Sequence, residues 1–379
     1  PVLTFRMMMV HYFRYIFKNI MEVNRNALFP FINRRQEMKL IPTVDAVGNV
    51  LCHDLTQIIV GVTKDARFRK GHVVTKEDIP VLLSMGKENL YVWEKQPGML
   101  HEDEGAEILC DAARNLYMDK SEPKEGKIEL TATIDGLLEI DTRRLLAINS
   151  IGEVMIATRS NHTPVMAGQK VAGMRVIPLL IEEQKMRRVA AIADRQHPVL
   201  SIHPYRIKTC TIIVTGNEIL KGLVTDTFGP AVASKLAAYG VRTLATVMSG
   251  DDQERIVEEI GKAIGSGSDL VVCTGGMSVD PDDRTPGAIK ESGARIVSYG
   301  APVLPGAMFL LSYIGEVPVL GLPGCVMYAK RTIFDLLLPR VLAKTSITPQ
   351  DIAALGNGGL CLGCKTCVFP DCSFGKGGL

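Results

Sequence analysis

The residues with the clearest chemical potential lie in the stretch DLVVCTGGMSVDPDDRTP, residues 269–286. Its apolar and β-branched start, residues 270–273, predicts a buried strand of a parallel sheet. The glycines that follow, Gly275 and Gly276, let backbone N–H groups approach an anion without a Cβ in the way. The next loop is acidic, and carboxylates hold metal ions or transfer protons. The stretch predicts a site at the carboxyl end of a strand, the alternative being a tight connection with a solvated acidic loop.

Glycine and polar residues follow other predicted strands of the same region in the same way. They stand at residues 215–218 (Thr-Gly-Asn-Glu), 250–251 (Gly-Asp) and 322–324 (Leu-Pro-Gly). Because the carboxyl ends of parallel strands share one edge of a sheet, we expect these residues to line one cleft. Amides and a helix N-terminus suit a phosphate, and carboxylates suit a metal ion or proton transfer. Neither a G-x-x-x-x-G-K-S/T loop nor a G-x-G-x-x-G motif occurs, so common nucleotide-binding motifs do not explain the pattern.

A second group of reactive residues lies near the C-terminus. Four cysteines follow a C-x-x-C-x-x-C-x4-C pattern: Cys361, Cys364, Cys367 and Cys372. This spacing suits one metal centre, either tetrahedral zinc or an iron–sulfur cluster. The bacterial ferredoxin run differs, because it has three residues before its last cysteine and a proline after it. Redox thiols and a purely structural role are the alternatives. Nearby glycines, including Gly358 and Gly375, favour a flexible appendage.

Cys325 follows the Leu-Pro-Gly turn directly. At the start of a helix, the dipole is expected to lower the pKa of its thiol and favour the thiolate. A thiolate is a soft metal ligand. The alternative is a small residue that fills a turn.

Composition bounds the class of protein. The chain has 379 residues, 46% hydrophobic and 22% charged, with a formal net charge of +2. This length predicts two or three domains, and the charge gives no reason to expect a nucleic-acid partner. No run of about 18 apolar residues occurs, so we expect neither a membrane span nor a membrane partner. The cysteine pattern favours metal binding in a reducing, cytoplasmic setting.

The order of predicted elements divides the chain into segments. Residues 1–37 differ in composition from the rest and are expected to be a non-native or disordered extension before Met38, or alternatively a membrane-surface helix. Residues 38–189 predict a smaller α+β domain, with a helix at 102–117, a strand at 146–149 and helical structure at 179–189.

Residues 190–205 carry Pro198 and Pro204 and predict a linker. Residues 206–345 alternate β and α units, which predicts a three-layer α/β domain with a mostly parallel sheet. Within it, Asp251 or Asp252 is expected to cap a helix. Residues 346–379 form the cysteine-rich tail.

The joint motifs of residues 206–345 resemble the molybdopterin-binding domain. They are TGNEIL (215–220) with Gly222 and Asp226-Thr227, Gly250-Asp251, TGGMSV (274–279) with Asp283 and Thr285-Pro286, and GLPG (321–324). That domain occurs in molybdopterin adenylyltransferases, in molybdopterin molybdotransferases and in competence/damage-inducible-type proteins. Residues 68–93 resemble, more weakly, the segment that precedes the domain in the molybdotransferases.

The resemblance implies a binding site for molybdopterin or adenylylated molybdopterin. The implied binding residues are Thr215, Gly216, Glu218, Thr274, Gly275, Gly276, Ser278, Pro323 and Gly324. Asp283 and Asp251 are implied as catalytic or metal-binding residues, with Mg²⁺ as the cofactor.

Three departures from the family pattern keep several functions open. Cys325 and Val326 replace the Asn-Pro of the molybdotransferases, residues 280–283 read DPDD, and Phe228 stands where the competence-type pattern has Asn. The first function is molybdotransferase-like metal insertion into adenylylated molybdopterin. The second is non-catalytic binding or sensing of molybdopterin or the molybdenum cofactor, and the third is a competence-type nucleotide pyrophosphatase. A molybdoenzyme or a cofactor-biosynthesis protein is an expected partner, and a homo-oligomer is compatible with the sequence.

Overall fold

The structure, a computed structural model, describes residues 39–59, 63–92, 98–278, 280 and 283–377. The predicted extension of residues 1–37, Trp93 and Asp282 lie outside the described residues. The chain divides into two compact units. The first comprises the described residues up to His101 with Pro178–Glu183, and the second comprises Glu102–Ile177 and the described residues from Gln184 onwards. No described helix is long and apolar enough to cross a membrane.

The strands of the described chain are short. They are β1 (Lys39–Pro42), β2 (Leu55–Ile59), β3 (Thr63–Phe68), β4 (Asn89–Val92), β5 (Met99–His101), β6 (Met118–Lys120), β7 (Lys127–Ala132), β8 (Gly136–Ile140), β9 (Val154–Thr158), β10 (Thr163–Val165), β11 (Lys170–Val176), β12 (Leu180–Glu182), β13 (Leu200–Pro204), β14 (Thr209–Val214), β15 (Arg242–Met248), β16 (Leu270–Thr274), β17 (Arg295–Tyr299), β18 (Leu310–Ile314) and β19 (Val317–Leu322).

The α-helices of the described chain are α1 (Asp78–Ser84), α2 (Glu102–Ala113), α3 (Thr142–Asn149), α4 (Glu183–Ile192), α5 (Asn217–Leu220), α6 (Phe228–Ala237), α7 (Gln253–Gly265), α8 (Thr285–Glu291), α9 (Ile333–Leu342) and α10 (Pro349–Ala354). Short 3₁₀ helices span Thr43–Asp45 and Gly324–Met327.

The first unit is built from two-stranded antiparallel pairs. β1 pairs with β4, β2 with β3, and β5 with β12. Its core contains Leu51, Leu82 and Leu90, each almost fully buried. The unit combines these strand pairs with the short helix α1, and it covers only part of the range 38–189 that was predicted as one α+β domain.

The second unit begins with two small antiparallel sheets, ordered β6-β7-β11-β9 and β10-β8-β13. The predicted strand at residues 146–149 is wrong, because these residues lie in α3. The Asp141 side chain accepts a hydrogen bond from the Arg144 backbone N–H and starts this helix, an N-cap that sequence reasoning overlooked.

Two predicted helices have different bounds in the structure. α2 ends at Ala113 rather than at residue 117, and the Asn115 side chain accepts a hydrogen bond from the Tyr117 N–H, a local alternative to the helix. The helical prediction for residues 179–189 is also shifted: β12 occupies its start, since buried Leu180 and Ile181 pair with β5, and α4 follows.

The predicted linker at residues 190–205 contains structure. α4 extends into it, and β13 pairs with β8. Leu200 and Ile202 are buried on alternate positions of this strand, a period of two that the prolines obscured. Pro204 is tolerated because it ends an edge strand.

A six-stranded sheet dominates the second unit, with the order β15-β14-β16-β19-β18-β17. Its first four strands are parallel to one another, whereas β18 is antiparallel to β19 and β17 is antiparallel to β18, so that β18 alone runs against the others. The prediction of a mostly parallel sheet is confirmed, and the antiparallel edge makes the sheet mixed.

Helices cover both faces of this sheet. Ile212 and Val272 face a core with α6 and α9, whereas Ile213 faces a second core with Ile256 and Ile260 of α7. Successive side chains of one strand thus serve opposite layers, as a doubly covered parallel sheet requires. The predicted three-layer arrangement is confirmed.

The cysteine-rich tail is packed against this domain rather than loosely appended. Phe374 is only 4% exposed and belongs to the core formed with α6 and α9. The Leu304 N–H donates to the Gly359 carbonyl and the Cys361 N–H donates to the Leu304 carbonyl, both at 2.8 Å. The prediction of a flexible appendage is therefore wrong. Burial of the Phe374 ring stabilises the docked tail, despite the conformational freedom of its glycines.

This packing predicts that the tail contributes to the stability of the whole domain. Phe374→Ala should lower the free energy of unfolding by roughly 3 kcal/mol, because a buried aromatic ring leaves a cavity. Urea denaturation measures this. Leu362→Ala is the control, since Leu362 lies in the same tail but is 74% exposed, and it should change stability by less than about 0.5 kcal/mol. If Phe374→Ala lowered the free energy of unfolding no more than Leu362→Ala does, the tail would not be part of the core.

Candidate functional site

The carboxyl ends of the four parallel strands meet at one large cleft. It has a volume of about 1330 Å³ and is lined by residues that follow β14, β15, β16 and β19. Almost every site residue predicted from the sequence lies on its wall: Thr215, Gly216, Glu218, Asp251, Gly275, Gly276, Ser278, Asp283, Pro323 and Gly324. The structure thus brings together residues that are more than one hundred positions apart in the chain.

The turn after β16 leaves no room for side chains. Gly275 has φ +88°, and a Cβ there would lie 2.6 Å from the Thr215 carbonyl oxygen. Gly276 has φ +55°, and its Cβ would lie 2.8 Å from Thr285 Oγ1. Both positions therefore require glycine for two reasons, the left-handed backbone and the close approach of a neighbour. The result is an open turn of backbone at the cleft wall, a form suited to an anion.

The hydroxyl groups of Thr215 and Thr285 lie behind this turn and support it. The Thr215 hydroxyl donates to the Thr274 carbonyl at 3.1 Å and lies 3.1 Å from Thr285 Oγ1. The Thr215 N–H also donates to the Thr274 carbonyl, at 2.8 Å. Thr215 and Thr285 are buried, so they tie the end of β14, the end of β16 and the start of α8 into one rigid unit.

Asp283 closes the loop that follows the glycines. Its Oδ2 accepts a hydrogen bond from the Ser278 N–H at 2.7 Å. The Tyr299 hydroxyl donates to the Met277 carbonyl at 3.0 Å, so β17 holds the other side of the loop. Burial and the nearby Asp283 charge raise the pKa of Tyr299, which keeps it a neutral donor. Asp283 therefore holds the loop in place through the Ser278 N–H, and it also presents a carboxylate on the cleft wall.

Asp251 is joined to the first strand end. Its Oδ2 accepts a hydrogen bond from the Asn217 N–H at 2.8 Å. The neighbouring Asp252 caps α7 by accepting from the Arg255 N–H at 2.9 Å, which resolves which of the two aspartates is the cap. Asp251 is thus free of capping and fixed at the cleft, with one oxygen committed to the backbone.

The charge of the cleft is strongly negative. Among the described residues one guanidinium, that of Arg284, and five carboxylates line it: Glu218, Asp251, Asp252, Asp280 and Asp283. No three of these carboxylates approach within 4.8 Å of one another in the described chain, so they do not form a ready-made cage for a cation. Mg²⁺ is typically held by one or two carboxylates together with ligand phosphates, and this arrangement fits that use.

Of the residues predicted to bind the pterin or to act in catalysis, Thr274 does not reach the cleft. Thr274 is completely buried and is not part of the lining, and its hydroxyl has no hydrogen-bond partner among the described residues. Its carbonyl instead receives the two bonds from Thr215. Thr274 is therefore placed to support the glycine turn rather than to touch a ligand.

The structure also adds lining residues that sequence reasoning did not single out, among them Gln253, Arg284, Met308, Met327 and Tyr328. Arg284 follows the predicted site residue Asp283 directly in the sequence, and this position was a signal for its place in the cleft. Met308 precedes β18, outside any motif, and nothing in the sequence marked it.

The surroundings of Cys325 do not support the prediction of an activated thiolate, and they favour the alternative of a small residue in a turn. It lies in the 3₁₀ helix Gly324–Met327, which is too short to provide the dipole of an α-helix. Burial raises the pKa of its thiol, so the neutral form is favoured. Cys325 does line the cleft, as a half-buried thiol.

The four tail cysteines line a second, smaller cleft of about 310 Å³. Backbone hydrogen bonding from Phe369, followed by Arg331 and Lys330, lowers the pKa of Cys367. No three of the four sulfur atoms lie within 4.8 Å of one another among the described residues. Tyr328 lines both clefts, so the two are neighbours.

Comparison with known proteins identifies two segments of the chain. Residues 40–94 match a domain family of unknown function. The CinA-like protein of Pseudothermotoga lettingae is 34% identical over 86 residues, which are 23% of this chain and 21% of that protein. The putative competence-damage inducible protein of Lacticaseibacillus casei is 40% identical over 74 residues, 20% of this chain and 18% of that protein. The chain thus spans about a fifth of the length of these relatives.

Solved structures also resemble part of the chain. The molybdopterin biosynthesis enzyme MoaB of Thermus thermophilus is 22% identical with a TM-score of 0.31, over 36% of this chain and 92% of that one. The tungsten cofactor synthesizing protein MoaB of Pyrococcus furiosus is 23% identical with a TM-score of 0.31, over 36% and 93%. Residues 211–343 match the family model described as a probable molybdopterin binding domain.

Proposed function

We propose that the chain binds molybdopterin in the large cleft and acts on its adenylylated form as a molybdotransferase-like enzyme. The observation that carries the proposal is the convergence of four glycine-bearing strand ends on one cleft inside the matched domain, three of them followed by carboxylates. The volume of about 1330 Å³ exceeds that of an ordinary small-molecule pocket. It suits a pterin joined to a nucleotide better than a single small metabolite.

The phosphate end of the ligand is assigned to the glycine turn. Gly275 and Gly276 expose backbone without a Cβ, and Gly324 is open toward the cleft, with only Phe228 near the position of a Cβ, at 3.9 Å. Backbone N–H groups in such turns bind phosphate oxygens. Thr215 and Thr285 hold the turn in place before the ligand arrives, so little ordering is needed on binding.

The carboxylates are assigned to the phosphoanhydride of adenylylated molybdopterin. In the proposed reaction water adds to the phosphoanhydride of adenylylated molybdopterin, the P–O bond to AMP breaks, and molybdopterin keeps its own phosphate. The two dithiolene sulfurs then replace one oxygen of molybdate, which leaves as water with the two thiol protons. Asp283 and Asp251 are the residues that we assign to holding Mg²⁺, which neutralises phosphate charge when it is bound. Both are fixed by backbone N–H donors, Ser278 and Asn217, so their free oxygens have a defined direction.

A second candidate is a binding or sensing protein that does not turn the ligand over. Cys325 and Val326 replace the Asn-Pro turn of the molybdotransferases, and the thiol of Cys325 lies on the cleft wall in its neutral form. A pyrophosphatase of the competence type is the third candidate, and the CinA-like names of the relatives give it a specific basis.

We further propose that the tail cysteines bind a metal and that the protein works in the cytoplasm. All nine cysteines of the chain are free in the structure, which fits a reducing compartment. A molybdoenzyme or a cofactor-biosynthesis protein is the proposed recipient of the product.

One assay separates the three candidates. The full chain is incubated anaerobically with adenylylated molybdopterin, Mg²⁺ and molybdate, and AMP and active molybdenum cofactor are measured. AMP release with active cofactor is the expected result. Tight binding without AMP supports the binding protein instead, and cleavage of ADP-ribose in a parallel reaction supports the pyrophosphatase.

Asp283→Asn should lower AMP release by about 100-fold or more, because the amide retains an acceptor for the Ser278 N–H but lacks the charge needed for metal or proton transfer. The free energy of unfolding should change by less than about 1 kcal/mol. Glu316→Gln is the matched control, since Glu316 is an exposed carboxylate between β18 and β19 outside the cleft lining, and it should keep full activity. Unchanged AMP release in Asp283→Asn would remove this residue from the mechanism.

Gly276→Val should weaken molybdopterin binding by about 10-fold or more, because a Cβ at φ +55° crowds Thr285 Oγ1 and fills the turn. Equilibrium binding measured by pterin fluorescence tests this. Gly293→Val is the control for backbone strain alone, because Gly293 has φ +84° with nothing within 4 Å of its Cβ position and does not line the cleft. If both variants bind as tightly as the unchanged protein, the phosphate site lies elsewhere.

A further inference from the structure

The tail carries its four cysteines on a loop that is closed at its base. The Gly375 N–H donates to the Gly358 carbonyl at 3.0 Å, which joins the two ends of the loop. Phe374 anchors the end of the loop in the domain core. The Cys361 N–H donates to the Leu304 carbonyl, so the start of the loop is tied to the domain as well. The cysteines therefore face a fixed neighbourhood rather than a free C-terminus.

The four cysteines line one cavity without gathering at a single point. A single tetrahedral zinc ion with bonds of about 2.3 Å requires its sulfur ligands to lie roughly 4 Å apart. In the described chain no three of these sulfur atoms come within 4.8 Å of one another, yet all four residues line one cavity of about 310 Å³. A cuboidal iron–sulfur cluster holds its cysteine ligands further apart, because iron and sulfide ions lie between them.

The walls of this cavity suit such a cluster. They are mainly apolar, with Leu360, Leu362, Val368 and Phe369 among the lining residues. Leu360, Leu362 and Val368 are each more than half exposed, so a cluster held here would lie near the surface with apolar groups as its neighbours.

Two cations complete the cavity, Lys330 and Arg331. Lys330 Nζ donates to the Lys365 carbonyl at 2.7 Å, inside the second C-x-x-C, and the Arg331 guanidinium lies 4.9 Å from the centre of the Phe369 ring. A 4Fe–4S cluster with four thiolates carries about two negative charges, and both side chains place positive charge beside it, Arg331 while also paired with Asp335 at 2.9 Å.

We infer that Cys361, Cys364, Cys367 and Cys372 hold one 4Fe–4S cluster, in a cavity whose cations are Lys330 and Arg331. The C-x-x-C-x-x-C spacing agrees with this cluster type, and the x4 spacing brings the fourth cysteine back past Phe369 and Pro370 to the same cavity. The inference names the metal of the proposed tail centre and does not depend on what the large cleft binds. Because Tyr328 lines both clefts, the cluster would be a neighbour of the candidate pterin site.

The test is metal analysis of the full chain purified without oxygen and then reconstituted with ferrous iron and sulfide. About four iron and four sulfide ions per chain, with an absorption band that bleaches on reduction, are expected. One zinc ion per chain with no iron after reconstitution would overturn the cluster while leaving a metal centre. Protein that retains no metal would overturn both. Neither result bears on AMP release, so the cluster and the proposed activity fail separately.

Single variants keep the test independent of folding. Cys364→Ser and Cys367→Ser change exposed residues, so the fold should survive, and each should lose most of the bound iron. Cys325→Ser removes a thiol from the neighbouring cleft and should keep its full iron content. Lys330→Gln with Arg331→Gln should shift the reduction potential downward, because a negative cluster with fewer nearby cations is harder to reduce. Iron content unaffected by Cys364→Ser and Cys367→Ser would show that the iron lies elsewhere.

Discussion

The burial of β16 on both faces is the constraint on which the functional domain depends. All five residues of Leu270–Thr274 are buried, and their side chains alternate between the two helical layers. Each buried Leu or Val contributes about 2 kcal/mol, and none of them can carry chemistry without losing that contribution. Polar function is therefore displaced to the end of the strand, where Gly275 and Gly276 begin.

The same constraint brings several strand ends to one wall of the cleft, where hydrogen bonds connect them. β14, β16 and β19 end at one edge of the sheet, and the Thr215 hydroxyl and N–H connect the ends of two of them. Asp283 and Tyr299 then hold the outer loop to the Ser278 N–H and the Met277 carbonyl. The backbone groups proposed to receive phosphate are thus supported by buried hydrogen bonds, while the carboxylates remain on the surface of the cleft.

Sequence reasoning located this site because its physical signals are local. Apolar runs that end in glycine and a carboxylate are visible in the residues themselves, and the parallel order of strands brings them together. Sequence reasoning failed where contacts with distant or unrecognised residues decide the direction of a side chain or the type of element. Thr274 was assigned to the ligand, but the pleat turns its side chain into the core. Residues 146–149 were assigned to a strand, because the Asp141 cap was not recognised.

The tail shows the same division between local and long-range information. The cysteine spacing was visible in the sequence, whereas its glycines suggested a flexible segment. The docking of Phe374 in a core formed by distant helices could not be predicted from the tail itself. Likewise, Lys330 and Arg331 precede the cysteines by some thirty residues and reach them only through the fold.

The proposed function requires a cleft lined by five described carboxylates to bind a phosphorylated pterin. Carboxylates at this density repel phosphate unless a cation lies between them, so binding should depend on Mg²⁺. The most direct measurement is the dissociation constant of molybdopterin for the full chain, under anaerobic conditions, with millimolar Mg²⁺ and with a chelator. Binding at least about 10-fold tighter with Mg²⁺ is the predicted result. Binding of equal strength in both conditions, or no binding in either, would contradict the account.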